Sequence, residues 1–592
     1  MHDTIPARLF ARAASSPAKP AYYEKHHGVW VPTGYRAFAA QVMRTGKALM
    51  ALGCGPGSTV SILGFNRPEW VIFDVASMAI GGAPAGIYAT CSPSEVAYIV
   101  RHARSPVVLV EDEAQWRKIE KERSSLPDLR WVVTMRGAGV TGPGVIAWEE
   151  LDARGQGVSD ADFFARLHAL EPGALATLIY TSGTTGPPKG VMLSHRNLAW
   201  TAMVVRDMLG ARPEPDRSLS YLPLSHIAEQ MFTIHAPITT GSAVYYAESL
   251  EQVADNLREV RPTVFFGVPR VWEKMQAGIT GKLAEARGAR KALAAWAMTV
   301  GREVSARRMR GQPLPPALAA QHRVADRLVL SKVKQAIGLD QARECASGAA
   351  PIAKEVLELF ASLDLVVHEV YGQSEDTGPT SYNRRGLVKL GTVGPAFPGV
   401  DVKLAEDGEI LVRGPNVFLG YYGEPEATAE VLVDGWLHSG DLGAFDDEGF
   451  LSITGRKKEI LITAGGKNVA PKNIEAALKS HPLVGEAVII GDRRKFLTAL
   501  VTLDPEAVAR FRRERGLGGD TPDPERPEIV AEVQRAVDAA NADLARVEQV
   551  KKFRILPRPF GVDTGELTPT LKVKRRVINE AYAAEIEEMY RE

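Results

Sequence analysis

The segment from Leu178 to Gly190, Leu-Ile-Tyr-Thr-Ser-Gly-Thr-Thr-Gly-Pro-Pro-Lys-Gly, carries the residue types of a polyphosphate site. An apolar strand feeds a loop in which Gly183 and Gly186 let backbone N–H groups approach an anion. Thr181, Ser182, Thr184 and Thr185 add hydroxyl donors, and Lys189 adds a full charge on a flexible stem. The pattern is not a P-loop, which needs a glycine, four residues and then Gly-Lys-Ser/Thr. Here Pro187 and Pro188 separate Gly186 from Lys189. So many hydroxyls, glycines and prolines around one lysine argue against an ordinary turn.

Other short strings carry chemistry of the same kind. Ser347-Gly-Ala-Ala-Pro351 is small enough for a flat ring to approach its backbone; equally, it can be a plain loop before a helix starting near Ile352. Val370-Tyr-Gly-Gln-Ser-Glu-Asp-Thr-Gly378 follows an apolar run, Leu363 to Val367, read as a strand. In it Tyr371 offers a face for stacking on adenine, and Ser374 and Thr377 offer hydroxyls. Glu375 is a hard carboxylate able to hold Mg²⁺ beside phosphates, with Asp376 an unassigned neighbour. Asp441, in Trp436-Leu-His-Ser-Gly-Asp-Leu442, can accept from both ribose hydroxyls or sit in a turn. His226 lies in Leu-Ser-His, where a lone histidine is usually structural.

The elements that must hold these strings alternate. Thr4 and Pro6 open a helix. Phe38 to Leu52 is helical, Val60 to Leu63 a strand, Pro68 to Met78 a helix and Val107 to Glu111 a strand. Ala243–Tyr246, Glu251–Val260 and Thr263–Gly267 repeat strand, helix, strand, the signature of parallel sheets with crossover helices. Val271 to Ile337 breaks that rhythm and reads as long basic helices interrupted at Gly311–Pro316, most simply a solvated insertion. After Gly399 short strands with glycine turns mark a β-rich part: Val402–Leu404, Glu409–Arg413 and Phe450–Thr454. Beyond Arg456 strand and helix units return, with Asn473–Ser480 helical and Glu486–Ile490 a strand. The expected fold is α/β: a large N-terminal body of parallel-rich sheets with flanking helices and a β-rich subdomain over 1–456, then a small α+β C-terminal lid over 457–592.

Composition sets outer limits. With 592 residues, 45% apolar and 24% charged, the chain is globular rather than disordered. Its 71 basic and 71 acidic side chains cancel, so no global charge draws it to nucleic acid and an anionic ligand needs a local site. Cys54, Cys91 and Cys345 are too scattered for a disulfide framework or a zinc set, which fits a reducing, cytoplasmic setting. The N-terminus shows no signal peptide. Trp70 to Cys91, the most apolar stretch, is broken by Asp74, Gly81, Gly82 and Pro84 and reads as a buried helix and strand. Peripheral membrane contact and oligomeric state stay open.

The phosphate string resembles the signature of the AMP-forming adenylate enzymes: acyl-CoA synthetases, luciferases and peptide-synthetase adenylation domains. The likeness runs along nearly the whole chain, in the family's order. Thr263-Val-Phe-Phe-Gly-Val-Pro-Arg-Val-Trp-Glu-Lys274 and Leu222-Pro-Leu-Ser-His-Ile-Ala-Glu-Gln230 look like long-chain acyl-CoA synthetases, the second especially like the bubblegum-type branch. The resemblance implies that Thr181 to Gly186 with Lys189, Ser347 to Ala349, Tyr371 to Ser374, Asp441 and Arg456 bind nucleotide. It makes Glu375 the magnesium ligand and puts His226 beside the acyl pocket and α-phosphate. It puts a domain hinge at Lys458 and a backbone path for the pantetheine arm of CoA at Gly465 and Gly466. The candidate catalytic lysine falls in Leu571-Lys572 where the common family form is Gly-Lys, so Lys572 is favoured and Lys574 is the alternative.

The implied reaction joins a fatty acid to AMP with ATP and Mg²⁺, then passes the acyl group to coenzyme A. A carboxylate is a poor acyl donor because its leaving group would be oxide; AMP is a good one. Lys572 would bridge carboxylate and phosphate oxygens in the first half and withdraw for the second, when the lid swings about Lys458. One rival is a fatty acyl-AMP ligase that loads a carrier protein. Another is a catalytically dead nucleotide-binding scaffold, against which the retained Lys189, Glu375, Asp441, Arg456 and Lys572 argue.

Overall fold

The computed structural model describes residues 2–181, 187–210, 215–464, 467–518, 524–542, 544–568 and 572–591. The loop residues Ser182, Gly183, Thr184, Thr185 and Gly186 and the pair Gly465 and Gly466 lie outside the described residues.

The fold is α/β. Its largest sheet runs, edge to edge, through Gly420–Tyr421, Lys189–Ser194, Leu175–Thr181, Ala83–Ile87, Thr59–Leu63, Val107–Val110, Trp131–Thr134 and Val145–Ala147. From Leu175–Thr181 to Val145–Ala147 neighbouring strands are parallel. Such strands are covered on both faces, which is why they read as short continuous apolar runs. The helix Pro68–Ala79 is buried at every residue, with Trp70 and Phe73 in its core. It accounts for the apolar stretch at Trp70–Cys91, and no helix among the described residues is long and apolar enough to cross a membrane.

A second parallel set, Val264–Gly267, Glu344–Ser347 and Val367–Tyr371, ends on the antiparallel pair Ser381–Tyr382. The strand expected at Leu363–Val367 therefore starts at Val367. The apolar run misleads because the helix Lys354–Ser362 ends just before Leu363 and the chain turns at Asp364, whose φ is +59°. The helix after Pro351 likewise begins at Lys354. A third sheet packs Arg217–Ser220, Ala243–Tyr246, Pro20–His26 and Val29–Gly34; its hairpin Pro20–Gly34 is antiparallel. The basic stretch forms Pro269–Ala284, Gly288–Met309, Pro316–Ala325 and Ser331–Ala336, with an unforeseen break at Glu285–Arg287. Asp401–Leu404, Glu409–Arg413 and Leu451–Arg456 make the expected β-rich subdomain, which is antiparallel and includes a further long strand, Trp436–Phe445. In the C-terminal part, Val484–Ile490 pairs antiparallel with Leu497–Leu503, which runs parallel to Val550–Ile555, and a separate apolar core fills the space beneath.

Candidate active site

The described parts of the phosphate string are two paired strands. Leu175–Thr181 pairs antiparallel with Lys189–Ser194, and the ladder ends with Thr181 opposite Lys189. The helix comes later, at His195–Leu209, capped by Ser194 and Asn197. Lys189 Nζ lies 4.7 Å from the centroid of the Tyr421 ring and 3.9 Å from Glu424 Oε2. The same tyrosine donates its hydroxyl to Glu375 Oε1 at 2.8 Å.

Glu375 sits in a 3₁₀ turn, Ser374–Asp376, directly after the strand Val367–Tyr371. Its unassigned neighbour Asp376 is buried and accepts from Gln373 N at 2.9 Å and from the Thr380 hydroxyl. Burial raises its pKa to about 8. Asp376 thus closes the turn that presents Glu375 and does not face a ligand. Thr377 is also structural: its hydroxyl donates to Asn416 O at 2.6 Å, and its φ of +62° ends the turn. Gly372 admits no side chain, since a Cβ would overlap the Gly378 carbonyl oxygen.

Asp441 and Arg456 face each other across the antiparallel pair Trp436–Phe445 and Leu451–Arg456. Arg456 Nε donates to Asp441 Oδ1 and Tyr371 Oη donates to Oδ2, both at 2.8 Å. Gln373 Nε2 reaches Ser439 O at 3.2 Å. Three sequence-distant strings are thereby tied into one wall. Across from it, Ser347 is buried with its hydroxyl lacking a partner among the described residues. At Gly348 a Cβ would come within 2.7 Å of Val370 Cγ1, and Ala349 has φ +67°. The small residues here keep the backbone close to Val370 and leave a slot.

His226 caps the short helix Ile227–Gln230, accepting from Ala228 N through Nδ1 at 3.2 Å. That bond leaves the proton on Nε2. Burial, with Lys572 nearby, pushes its pKa down to about 4, so it is a neutral donor at pH 7 and unsuited to proton transfer. Beyond it Phe232 stacks on Phe266 with centroids 4.9 Å apart.

Thr181, Lys189, His226, Ser347, Tyr371, Glu375, Asp441 and Arg456 line one cavity of about 1820 Å³, whose walls also include Lys572 but not Asp376, Thr377 or Lys574. Lys572 has surface open to the cleft yet is enclosed by protein around it; desolvation and then Arg456 lower its pKa, while Asp441 and Glu375 pull the other way. Lys574 instead starts the helix Arg575–Ala581, and its charge acts on Cys91. Near the expected hinge, Lys457 is tied to Asp407 at 2.5 Å and Glu409 at 3.0 Å, whereas Lys458 is exposed.

The family model described as AMP-binding enzyme matches residues 9–422, and that of the AMP-binding enzyme C-terminal domain matches residues 458–592. The chain belongs to the AMP-binding enzyme family. It is 38% identical to the long-chain-fatty-acid–CoA ligase FadD15 of Mycobacterium bovis, covering 100% of this chain and 97% of that protein. It is 35% identical to human long-chain-fatty-acid–CoA ligase ACSBG2, over 96% of this chain and 90% of that one. This agrees with the bubblegum-type likeness of Leu222–Gln230. In fold, this AMP-binding enzyme resembles the adenylation domain of a Mycobacterium chelonae carboxylate reductase, with TM-score 0.77, 22% identity and coverage of 99% and 91%.

Sequence reasoning missed Tyr421 in this AMP-binding enzyme. It lies on the two-residue edge strand Gly420–Tyr421, paired with Lys189–Ser194. Nothing in the local string Gly-Tyr-Tyr signals that one ring will serve both Lys189 and Glu375.

Proposed function

We propose that the protein is a long-chain fatty acid–CoA ligase of the AMP-forming type. The observation that carries this reading is the single cavity joining an apolar wall at Met231, Phe232 and Phe266 to Glu375, Asp441 and Lys572. Full-length relatives named as such ligases support it. A carboxylate oxygen of the fatty acid attacks the α-phosphorus of ATP, pyrophosphate leaves, and acyl-AMP forms. The CoA thiolate then attacks the acyl carbonyl and AMP leaves. Both steps depend on positioning and charge stabilisation more than on covalent help from the protein.

In this reading Ser347 to Ala349 and Tyr371 border the adenine, Asp441 holds the ribose and Arg456 reaches ribose and phosphate. Thr181 and Lys189, with the loop between them, receive the pyrophosphate. The neutral His226 donates from Nε2 near the reacting carboxylate. Lys572 bridges carboxylate and phosphate. Among the described residues no group of three or more His, Cys, Asp or Glu side chains could by itself hold a metal. Glu375, one of several carboxylates on the cavity wall, fits Mg²⁺, which takes one or two carboxylates plus substrate phosphates. Bound there with ATP, magnesium would offset phosphate charge. Residues 457–592 form the lid, turning at Lys458 and bringing Gly465 and Gly466 to the CoA arm. Buried, unpaired Cys54, Cys91 and Cys345 support a reducing, cytoplasmic setting.

The test is ATP–pyrophosphate exchange and thioester formation across acids from acetate to very long chains. Exchange and thioester with long-chain acids are expected. Acyl-AMP that accumulates without thioester would transfer the assignment to a ligase serving a carrier protein, and absent exchange throughout would leave a nucleotide-binding scaffold.

A further inference from the structure

The string Thr263–Lys274 contains charged residues that the chemistry above does not use, among them Arg270 and Glu273. The strand Val264–Gly267 supplies Phe266 to the cavity and runs directly into the helix Pro269–Ala284. Trp272 pins this helix start: it is fully buried, its indole N–H donates to Gly267 O at 3.0 Å, and its ring meets Phe265 and Phe360 edge-on. With Trp272 inward, Arg270 and Glu273 point to the C-terminal part. Arg270 Nη2 donates to Asp504 Oδ2 at 2.6 Å. Glu273 lies against Arg270 at 3.5 Å and feels Lys479, itself paired with Glu486 at 2.8 Å.

Asp504 has two jobs. It follows the wholly buried strand Leu497–Leu503, and its Oδ1 caps the helix Pro505–Arg515 by accepting from Ala507 N at 3.0 Å. Its other oxygen takes Arg270. The acceptor is therefore held rigidly on the C-terminal core while the donor is held rigidly on the N-terminal body. This contact belongs to the pose in which Lys572 lines the cavity.

We propose that Arg270 and Asp504 form a latch that favours the lid pose presenting Lys572 and that must open before acyl transfer. The latch makes them positioning residues. The proposal rests on the ligase reading, and it adds a role for the string Val268-Pro-Arg-Val-Trp-Glu273: the strand that lines the apolar wall ends in the residue that grips the lid. A partly exposed ion pair shifts such an equilibrium modestly, so the effect should be visible as a ratio of two half-reactions.

Asp504→Asn keeps the helix cap, since Asn caps as well as Asp, and removes only the charge. The measurements are ATP–pyrophosphate exchange and, separately, thioester formation from supplied acyl-AMP and CoA. Asp504→Asn is expected to lower exchange about two- to fivefold while thioester formation holds or rises. Arg270→Glu, which sets two carboxylates against each other, is expected to lower exchange further, and adding Asp504→Asn to it should recover part of the loss. An unchanged ratio of half-reactions in Asp504→Asn, or no recovery in the double variant, would overturn the latch. Wild-type protein that adenylates no acid would overturn the ligase reading instead, so the two failures are distinguishable.

Discussion

The two sides of the cleft are built differently. On the N-terminal side several candidate groups are bonded to other protein groups. Asp441 holds Arg456 and Tyr371, Glu375 accepts from Tyr421, and Asp376 closes the turn beneath. On the C-terminal side the Lys572 ammonium makes no hydrogen bond or ion pair among the described residues. Only its backbone is fixed, by Thr568 N donating to Lys572 O at 2.7 Å and Lys572 N to Thr568 Oγ1 at 3.0 Å. One wall is held in place by bonds among its own side chains. The other delivers a charge that is unpaired among the described residues, and hence available to new negative charge.

That contrast is sharpest at Lys572. Lys572→Ala should cut adenylation by about 10²–10³ while acyl-AMP supplied directly still reacts with CoA, and Lys574→Ala should change little. Wild-type exchange in Lys572→Ala would move the role to Lys574. Next comes the connection between the two sides. Lys458 lies in the 3₁₀ turn Lys457–Glu459, whose φ a proline can match, so Lys458→Pro should keep the present pose and resist the other. Acyl-AMP should accumulate while thioester formation falls about tenfold or more in single-turnover experiments. Equal losses in both halves would remove the hinge.

On the bonded wall, Glu375→Gln retains an acceptor for Tyr421 but loses the charge. A higher Mg²⁺ requirement and roughly tenfold slower adenylation are expected in a magnesium titration. An unchanged requirement would make Glu375 a structural acceptor. The smallest effect concerns a buried carboxyl in the N-terminal body. Buried Glu229 receives bonds through Oε1 from Ser220 and Thr233 at 2.8 Å and from Tyr221 N and Asn66 at 3.2 Å. Burial outweighs these bonds and lifts its pKa to about 8. The fold thus holds a proton that the unfolded chain releases near the ordinary carboxyl range. Stability from this group is complete below about pH 4.5 and drains as pH rises through about 8. Glu229→Gln should flatten the fall of Tm between pH 5 and about 8.5, leaving the similar slope from Asp376 and Glu369, both also near 8. An unaltered slope would mean Glu229 is ionised in the fold.

Tyr371 and Glu375 on the bonded wall were legible in the sequence because unusual residue types cluster in one short string. The alternation of strand and helix likewise foretold the parallel sheets. What escaped was assigned by partners far away in the chain. Thr377 looks like a ligand donor until Asn416 claims its hydroxyl. Asp376 is ambiguous until Thr380 and Gln373 enclose it. Leu363–Val367 looks like a strand because periodicity cannot register a left-handed turn at Asp364. Arg270 reads as one more surface charge, since nothing local reveals Asp504.

Tyr421 links two charges of opposite sign, with its ring under Lys189 and its hydroxyl on Glu375. A perturbation at either charge is therefore felt by the other through one rigid side chain. Free-energy losses from Lys189 and Glu375 substitutions should not sum, and the shortfall should vanish when Tyr421 is replaced by leucine. Lys189 and Glu375 are in this sense one energetic unit, joined by the ring and hydroxyl of Tyr421.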